Sequence, residues 1–278
     1  MKTAIITGAT SGIGKVTALE IAKQGYTTVL VARNEEKLKT SKQELIKSSG
    51  NENISYFVAD LSLINDIKKV AEEIKQAHPV IDILVNNAGA MFSERQETKE
   101  GVELTFATNH INYFLFTKLL LENIKAAPKA RITGVSSEAQ KMIKTINWDD
   151  IEFRNNFKGL KAYAQSKLFN AMFTFKLAEK LKDTNVTVNC MHPGGVNTSF
   201  GRNTKGFMRF LVGLIFPLMR TPEKGAETLV WLATSDEVEG VSGNYFYDKK
   251  SIQASPPAYN DVELEKLWQL TEDIVAKH

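Results

Sequence analysis

The sequence predicts a doubly wound α/β protein: a parallel sheet of about seven strands, flanked by helices on both faces, in one domain spanning residues 1–278. Three observations carry this. Short apolar runs alternate with longer helix-periodic segments along the whole chain. The early runs are apolar nearly throughout, as expected of parallel strands covered on both faces. The first run also leads directly into a glycine-rich turn and a helical pattern, TGATSGIGKVTALEI.

In chain order, strands are expected at TAIIT (3–7), TTVLVA (27–32), ISYFVA (54–59), IDILVN (81–86), ARITGVS (130–136), VTVNCM (186–191) and GNYFY (243–247). Amphipathic helices are expected at KVTALEIAKQG, EEKLKTSKQELIKSS, NDIKKVAEEIKQA, a stretch from about 101 to 126, the segment 159–182 and a C-terminal segment of about 260–276. In 159–182, Leu160, Ala164, Leu168, Ala171, Phe175 and Ala178 recur at spacings of three and four. Strand–helix–strand units with right-handed crossovers imply the order 3-2-1-4-5-6-7. Irregular insertions are expected at 138–158 and 200–221.

Composition narrows the function. Hydrophobic residues make up 43% and charged residues 24%, which is ordinary for a soluble globular chain. The formal charge of +3 is too small, and its bases too evenly mixed with acids, to argue for nucleic acid. A single cysteine, Cys190, excludes an intramolecular disulfide and a cysteine-rich metal site; inside VTVNCMH it reads as a buried, inert thiol. His78, His110 and His278 show no metal-ligand grouping, so no metal site is expected. The N-terminus begins a strand within three residues and shows no signal-like apolar run. No apolar run approaches the roughly 18 residues a membrane span requires. The nearest candidate, FMRFLVGLIFPLM (207–219), is broken by Arg209 and Pro217. A cytoplasmic location is expected, without membrane association.

Gly8, Gly12 and Gly14 fall where the first strand must turn sharply into the first helix. Glycine lets the backbone approach a pyrophosphate, and the helix N-terminus supplies free N–H donors. A triphosphate P-loop is excluded by spacing: five residues separate Gly8 from Gly14, and Val16 follows Lys15 where a hydroxyl is required. The second strand ends LVARN, with neutral Ala32 and then Arg33 in place of the acid that holds an NAD ribose. A guanidinium suits a 2′-phosphate, and Lys15 could add charge nearby, so NADP(H) is expected over NAD.

TGATSGIG, the ADL of Asp60 and Leu61, NNAG (86–89), the Asn109 of TNHINYF, VSS (135–137), YAQSK (163–167) and HPGGVNT (192–198) occur in that order. Together, over essentially the whole chain, they resemble the short-chain dehydrogenases/reductases. INWDDIEF, the YAQSKLFNAMFTFKLAEKL helix and CMHPGGVNT are similar to the retinol dehydrogenase-like and WW-domain oxidoreductase branch, and to light-dependent protochlorophyllide reductases. Neither a WW domain nor the N-terminal hydrophobic anchor of the membrane-bound retinol enzymes is read in this sequence.

The resemblance implies a Rossmann fold and hydride transfer between a nicotinamide and a carbonyl or alcohol carbon. It implies a tetrad of Asn109, Ser137, Tyr163 and Lys167. Tyr163 would be the general acid or base, Ser137 would hold the carbonyl oxygen, and Asn109 would act through a water-linked relay behind Lys167. The family pattern selects Ser137 over Ser136. Lys167 would also bind the nicotinamide ribose. The dinucleotide would lie on Gly8, Thr10, Ser11, Gly12, Ile13 and Gly14, with Arg33 at the phosphate and Asp60 and Leu61 at the adenine. Asn86, Ala88 and Gly89 would line the adenosine ribose, and Pro193, Gly194, Val196 and Thr198 would hold the carboxamide and phosphates. Against these roles, Asp60 can serve as a helix cap and NNAG as a strand end, and His192 reads as structural.

Tyr163 and Lys167 are four residues apart, as are Tyr245 and Lys249. On a helix such a pair shares one face, about 6 Å apart; along a strand it spans about 13 Å. The first pair lies in a helical pattern and the second in a strand with a charged turn, so only the first can cooperate. The lysine ammonium is expected to lower the phenol's pKa.

Phe207, Met208, Phe210, Leu211, Leu214, Ile215, Phe216 and Leu218 suggest a greasy lid at about 199–221 and an apolar aldehyde or ketone as substrate. A core helix, a subunit contact or a membrane-surface helix flanked by Arg202, Lys205, Arg209 and Arg220 are the alternatives. A catalytically silent NADP-binding sensor or scaffold is the competing function. A nucleotide-sugar epimerase or dehydratase is disfavoured by the TGxxxGxG turn and by the short stretch after HPGG. GNYFY could be an outer strand used in a homo-oligomer.

Overall fold

Eight strands pair into one sheet among the residues that the computed structural model describes, 1–196 and 219–278. They are β1 (Thr3–Thr7), β2 (Thr27–Ala32), β3 (Ile54–Val58), β4 (Ile83–Asn86), β5 (Ala130–Val135), β6 (Val186–Met191), β7 (Asn244–Tyr247) and β8 (Lys250–Ile252). The order is β3-β2-β1-β4-β5-β6-β7-β8. Pairing is parallel from β3 to β7, in agreement with the expected order. The eighth strand is an addition: β8 pairs antiparallel with β7 through a turn at Asp248 and Lys249. It forms the sheet edge, so GNYFY is not the outer strand.

Among the described residues the α-helices are α1 (Gly12–Lys23), α2 (Glu35–Ser49), α3 (Ile64–Ala77), α4 (Leu104–Phe106), α5 (Asn112–Lys125), α6 (Gly159–Lys180), α7 (Pro222–Thr234) and α8 (Asp261–Ala276). The expected helix over 101–126 is interrupted: a π-turn, Ala107–Ile111, joins α4 to α5. Helix α7 was not anticipated. Its start signals are present, with Thr221 accepting from the Lys224 N–H and Pro222 in the first turn.

Alternation along the strands builds two cores. Ile5, Val29, Val31, Leu84, Ile132 and Val188 face one layer with α3, α5 and α6. Ala4, Ile6, Leu30, Ile83, Val85 and Met191 face the other, with α1, α2 and α7. Both faces of the central strands are covered, which is why their sequences read as continuous apolar runs. Truncating one such side chain to alanine costs about 2–5 kcal/mol. Helix α6 is buried around its whole circumference from Ala164 to Thr174, while Leu160 in its first turn stays 45% exposed. Cys190 is buried in β6, and burial pushes its thiol up to about 12, as an inert thiol requires. No helix among the described residues is long and apolar enough to cross a membrane.

The strand order reverses between β1 and β4. In an open α/β sheet that switch point opens a crevice at the carboxyl ends of the strands. The glycine turn after β1 and the NNAG segment after β4 therefore face each other there.

Candidate active site

The glycine turn is held open by its own backbone. Gly8 and Gly12 sit at φ +67° and +53°, in the left-handed region. A Cβ on Gly14 would lie 2.3 Å from Asn87 Nδ2 and 2.4 Å from the Gly8 carbonyl oxygen. Ser11 caps α1 without a side-chain hydrogen bond, and the first turn of α1 carries no acid. Such a helix start fits a pyrophosphate. Thr7, fully buried, ties the turn to the β4 loop: its Oγ1 accepts from the N–H groups of Asn87 (2.9 Å) and Ala88 (3.0 Å). Asn87 Nδ2 donates to the Thr7 carbonyl at 2.8 Å.

Other expected contact residues divide. Thr10 and Ser11 lie on the accessible side of the turn, whereas Ile13 and Leu61 are buried in the two cores. Arg33 is exposed at the end of β2. Lys15 pairs with Glu44 of α2, so its charge is already balanced. Asp60 does not cap α3; its Oδ1 closes a local turn by accepting from the Ser62 N–H (3.0 Å) and hydroxyl (2.7 Å). The Asn86 side chain turns away from the crevice and donates to Thr117 Oγ1 at 2.8 Å in the core. Asn87, which the sequence reading passed over, is the asparagine that touches the glycine turn.

The tetrad residues converge at the carboxyl end of β5. Lys167 Nζ donates to the Val135 carbonyl at 2.9 Å and lies 5.8 Å from the centre of the Tyr163 ring. A Cβ on Gly89 would lie 3.1 Å from both Lys167 Nζ and Asn109 Oδ1, so NNAG, Asn109 and Lys167 meet at one point. Asn109, in the π-turn and fully buried, accepts from the Ala90 N–H at 2.7 Å. Its Nδ2 donates to the Ala90 carbonyl (2.9 Å) and to Ser166 Oγ (2.8 Å). The Ser166 hydroxyl in turn donates to the Tyr163 carbonyl at 2.7 Å. The asparagine thus ties the β4 loop to α6 directly. The two serines separate as well: Ser136 is buried, donating to the Lys167 carbonyl at 2.7 Å, while Ser137 is half-buried at the mouth.

In the cofactor-free protein burial governs the electrostatics of the pair. Burial raises the Tyr163 phenol to about 12, and its hydrogen bond with Ser137 only partly opposes this. Burial likewise pulls the Lys167 ammonium down to about 7. Desolvation is the largest influence on both groups, so the resting phenol lies above its ordinary value and not, as expected, below it. The second tyrosine–lysine pair is apart, as expected: Tyr245 is buried in β7 and Lys249 is exposed in the turn beyond.

A family model for short chain dehydrogenases matches residues 2–206. The chain belongs to the short-chain dehydrogenases. Within this family it falls in the retinol dehydrogenase-like branch. It is 37% identical over 292 residues to retinol dehydrogenase 14 of Homo sapiens, covering 99% of this chain and 86% of that one. It is 36% identical to human retinol dehydrogenase 13, covering 96% and 82%. Among solved structures, an uncharacterized protein from Mycobacterium paratuberculosis superposes with a TM-score of 0.79 at 25% identity, covering 99% and 94%. A structure from Beutenbergia cavernae with NADP bound at low occupancy superposes with a TM-score of 0.70 at 25% identity, covering 88% and 94%.

In this short-chain dehydrogenase the HPGG segment follows β6 into the same cleft. His192 is buried against the Tyr247 ring, and its Nε2 lies 2.9 Å from Glu138, the neighbour of Ser137. Burial lowers its pKa, with the Glu138 charge opposing. Pro193 and Gly194 are half-buried, and Val196 pairs with Arg220. Gly225 of α7 faces Val196 and Ile13, which fastens the segment to α1. Thr198 and nearly all of the expected 199–221 lid lie outside the described residues.

Proposed function

We propose that this oxidoreductase uses NADP(H) and reduces an apolar aldehyde or ketone to the alcohol. The observation that carries the reading is the convergence of Tyr163, Lys167, Ser137 and Asn109 beside a glycine turn whose helix start lacks an internal acceptor. Bound NADP(H) supplies or takes the hydride. The retinol dehydrogenase relatives support an apolar substrate, and the NADP bound to the Beutenbergia structure supports the phosphorylated cofactor.

The chain's own groups have separable tasks in this reading. The amides opening α1 and the left-handed Gly8 and Gly12 cradle the pyrophosphate. Arg33 binds the 2′-phosphate and discriminates against NAD. Asp60 reads the adenine, with Leu61 alongside through its backbone, and Ala88 and Gly89 line the ribose. Ser137 donates to the substrate oxygen and holds it beside Tyr163. The Tyr163 phenol, kept protonated well above neutral pH by burial, is set to deliver a proton to that oxygen. The reductive direction is read from the choice of NADPH as cofactor, and the same phenol would serve as base in the reverse reaction. Lys167 stabilises the phenolate left behind and holds the nicotinamide ribose. Asn109 fixes both the loop and the helix that carry these groups.

The test is a steady-state comparison of NADPH with NADH across apolar aldehydes and ketones and polar sugars, repeated with Arg33→Ala. Loss of charged hydrogen bonds to the 2′-phosphate should raise the NADPH KM about tenfold or more and leave NADH unchanged. Equal use of both cofactors by the unaltered protein, or turnover of polar compounds only, would reject the reading. A cytoplasmic site of action is part of this proposal, and cell fractionation tests it.

A further inference from the structure

Backbone and side-chain contacts converge on one residue at the edge of the cleft, Arg220. Arg220 pairs with Val196 through the backbone, and its N–H donates to the Gly195 carbonyl at 2.8 Å. Gly194 is at φ +74°, and a Cβ there would lie 3.1 Å from Arg220 Nε. The guanidinium grips both carboxylate oxygens of Asp248, one at 2.8 Å, and also donates to the Tyr247 hydroxyl. Its Cζ lies 4.7 Å from the centre of the Tyr247 ring. That ring stacks on His192 at 4.3 Å and 3°, and His192 Nδ1 accepts from the Gly194 N–H at 3.3 Å. The HPGG turn is therefore held by Arg220, His192 and Tyr247, with Val196 paired to Arg220, while Gly195 stays exposed.

The hairpin that presents Asp248 is itself unusual. Asp248 and Lys249 sit at φ 47° and 60°, consecutive left-handed residues without a glycine. A two-residue hairpin of this kind favours Asn-Gly, and each such residue costs on the order of 1 kcal/mol. Its effect is to aim the Asp248 carboxylate at Arg220. Stability is a poor account of this arrangement, because a half-exposed ion pair contributes only about 0–1 kcal/mol. What the contacts share is the turn they immobilise.

We propose that Arg220, held by Asp248 and Tyr247, is a positioning residue that presets the Pro193–Val196 turn for the nicotinamide half of the dinucleotide. The inference rests on the cofactor reading above. It makes a distinction between halves of the ligand, because in that reading Arg33 and Asp60, at the ends of β2 and β3, would hold the adenosine half.

The experiment measures Kd by calorimetry for NADPH and for 2′-phospho-ADP-ribose, which lacks the nicotinamide. The unaltered protein is compared with Arg220→Ala, Arg220→Lys and Asp248→Asn, with thermal unfolding of each. Arg220→Ala should weaken NADPH about tenfold while 2′-phospho-ADP-ribose stays within about twofold. Asp248→Asn should move in the same direction, and Arg220→Lys, which keeps the charge but loses the fork, should fall between. Should Arg220→Ala fail to fold, the other two variants decide alone. Unchanged NADPH affinity, or equal losses for both ligands, would overturn the proposal. If the unaltered protein bound neither ligand, the cofactor reading would fail and this inference with it.

Discussion

Replacing Asn109 by alanine removes three hydrogen bonds from a fully buried position: one from the Ala90 N–H, one to the Ala90 carbonyl and one to Ser166. Each contributes about 1 kcal/mol net, so the loss is about 3 kcal/mol. Alanine recovers about 0.5 kcal/mol through its better helix propensity. A net destabilisation of about 2–3 kcal/mol corresponds to a Tm lower by about 5–10 °C for a chain of this size. The catalytic effect should be separable, because the bonds join the β4 loop to α6 one turn from Tyr163. With Gly89 and Lys167 no longer held together, kcat should fall about tenfold or more, while the affinity for 2′-phospho-ADP-ribose should barely change. Differential scanning calorimetry and steady-state kinetics read the two effects. Unchanged Tm and kcat together would refute the claim that this asparagine organises the site.

Two further predictions follow from burial. In the cofactor-free protein Lys167 releases its proton near 7, against 10.5 when unfolded. Between these values the unfolded chain binds more protons, so stability should rise with pH across that window, and Lys167→Met should flatten the rise. Tyr163 opposes this only above pH 10, where its ordinary value lies. Urea midpoints measured from pH 7 to pH 9.0, below the point where the buried Cys190 thiol begins to oppose the rise, check the slope. The buried Tyr245 hydroxyl makes no hydrogen bond of good geometry among the described residues, with only weak interactions with Ser136 and Gln140, so Tyr245→Phe should leave activity intact and stability within about 1 kcal/mol. A large loss of turnover in that variant would mean the wrong tyrosine had been set aside.

The strands were legible because those covered on both faces carry uninterrupted apolar runs. β8 was not, because two of its three residues, KSI, are exposed and the run carries no pattern. Helix α7 was missed although Thr221 and Pro222 announce its start; Gly225, needed where α7 meets Val196, obscures the helical signal. The π-turn at Asn109 is set by contacts to a loop 19 residues upstream, which no local periodicity contains. Motif order located Tyr163, Lys167, Ser137 and Asn109 together, and the structure brings them to one place. It could not tell that Asn86 faces the core and Asn87 the crevice, since adjacent side chains at a strand end point oppositely. The protonation of Tyr163 and Lys167 was also out of reach, because desolvation depends on what covers a group and not on its neighbour in sequence.

The central claim is that the Tyr163 phenol delivers the proton in carbonyl reduction. Its most direct test is single-turnover oxidation of bound NADPH by an apolar aldehyde, comparing the unaltered protein with Tyr163→Phe at matched cofactor saturation. Loss of a positioned acid should slow the step by about 10²–10⁴-fold while NADPH affinity is kept. A phenylalanine variant that turned over at the original rate would contradict the account.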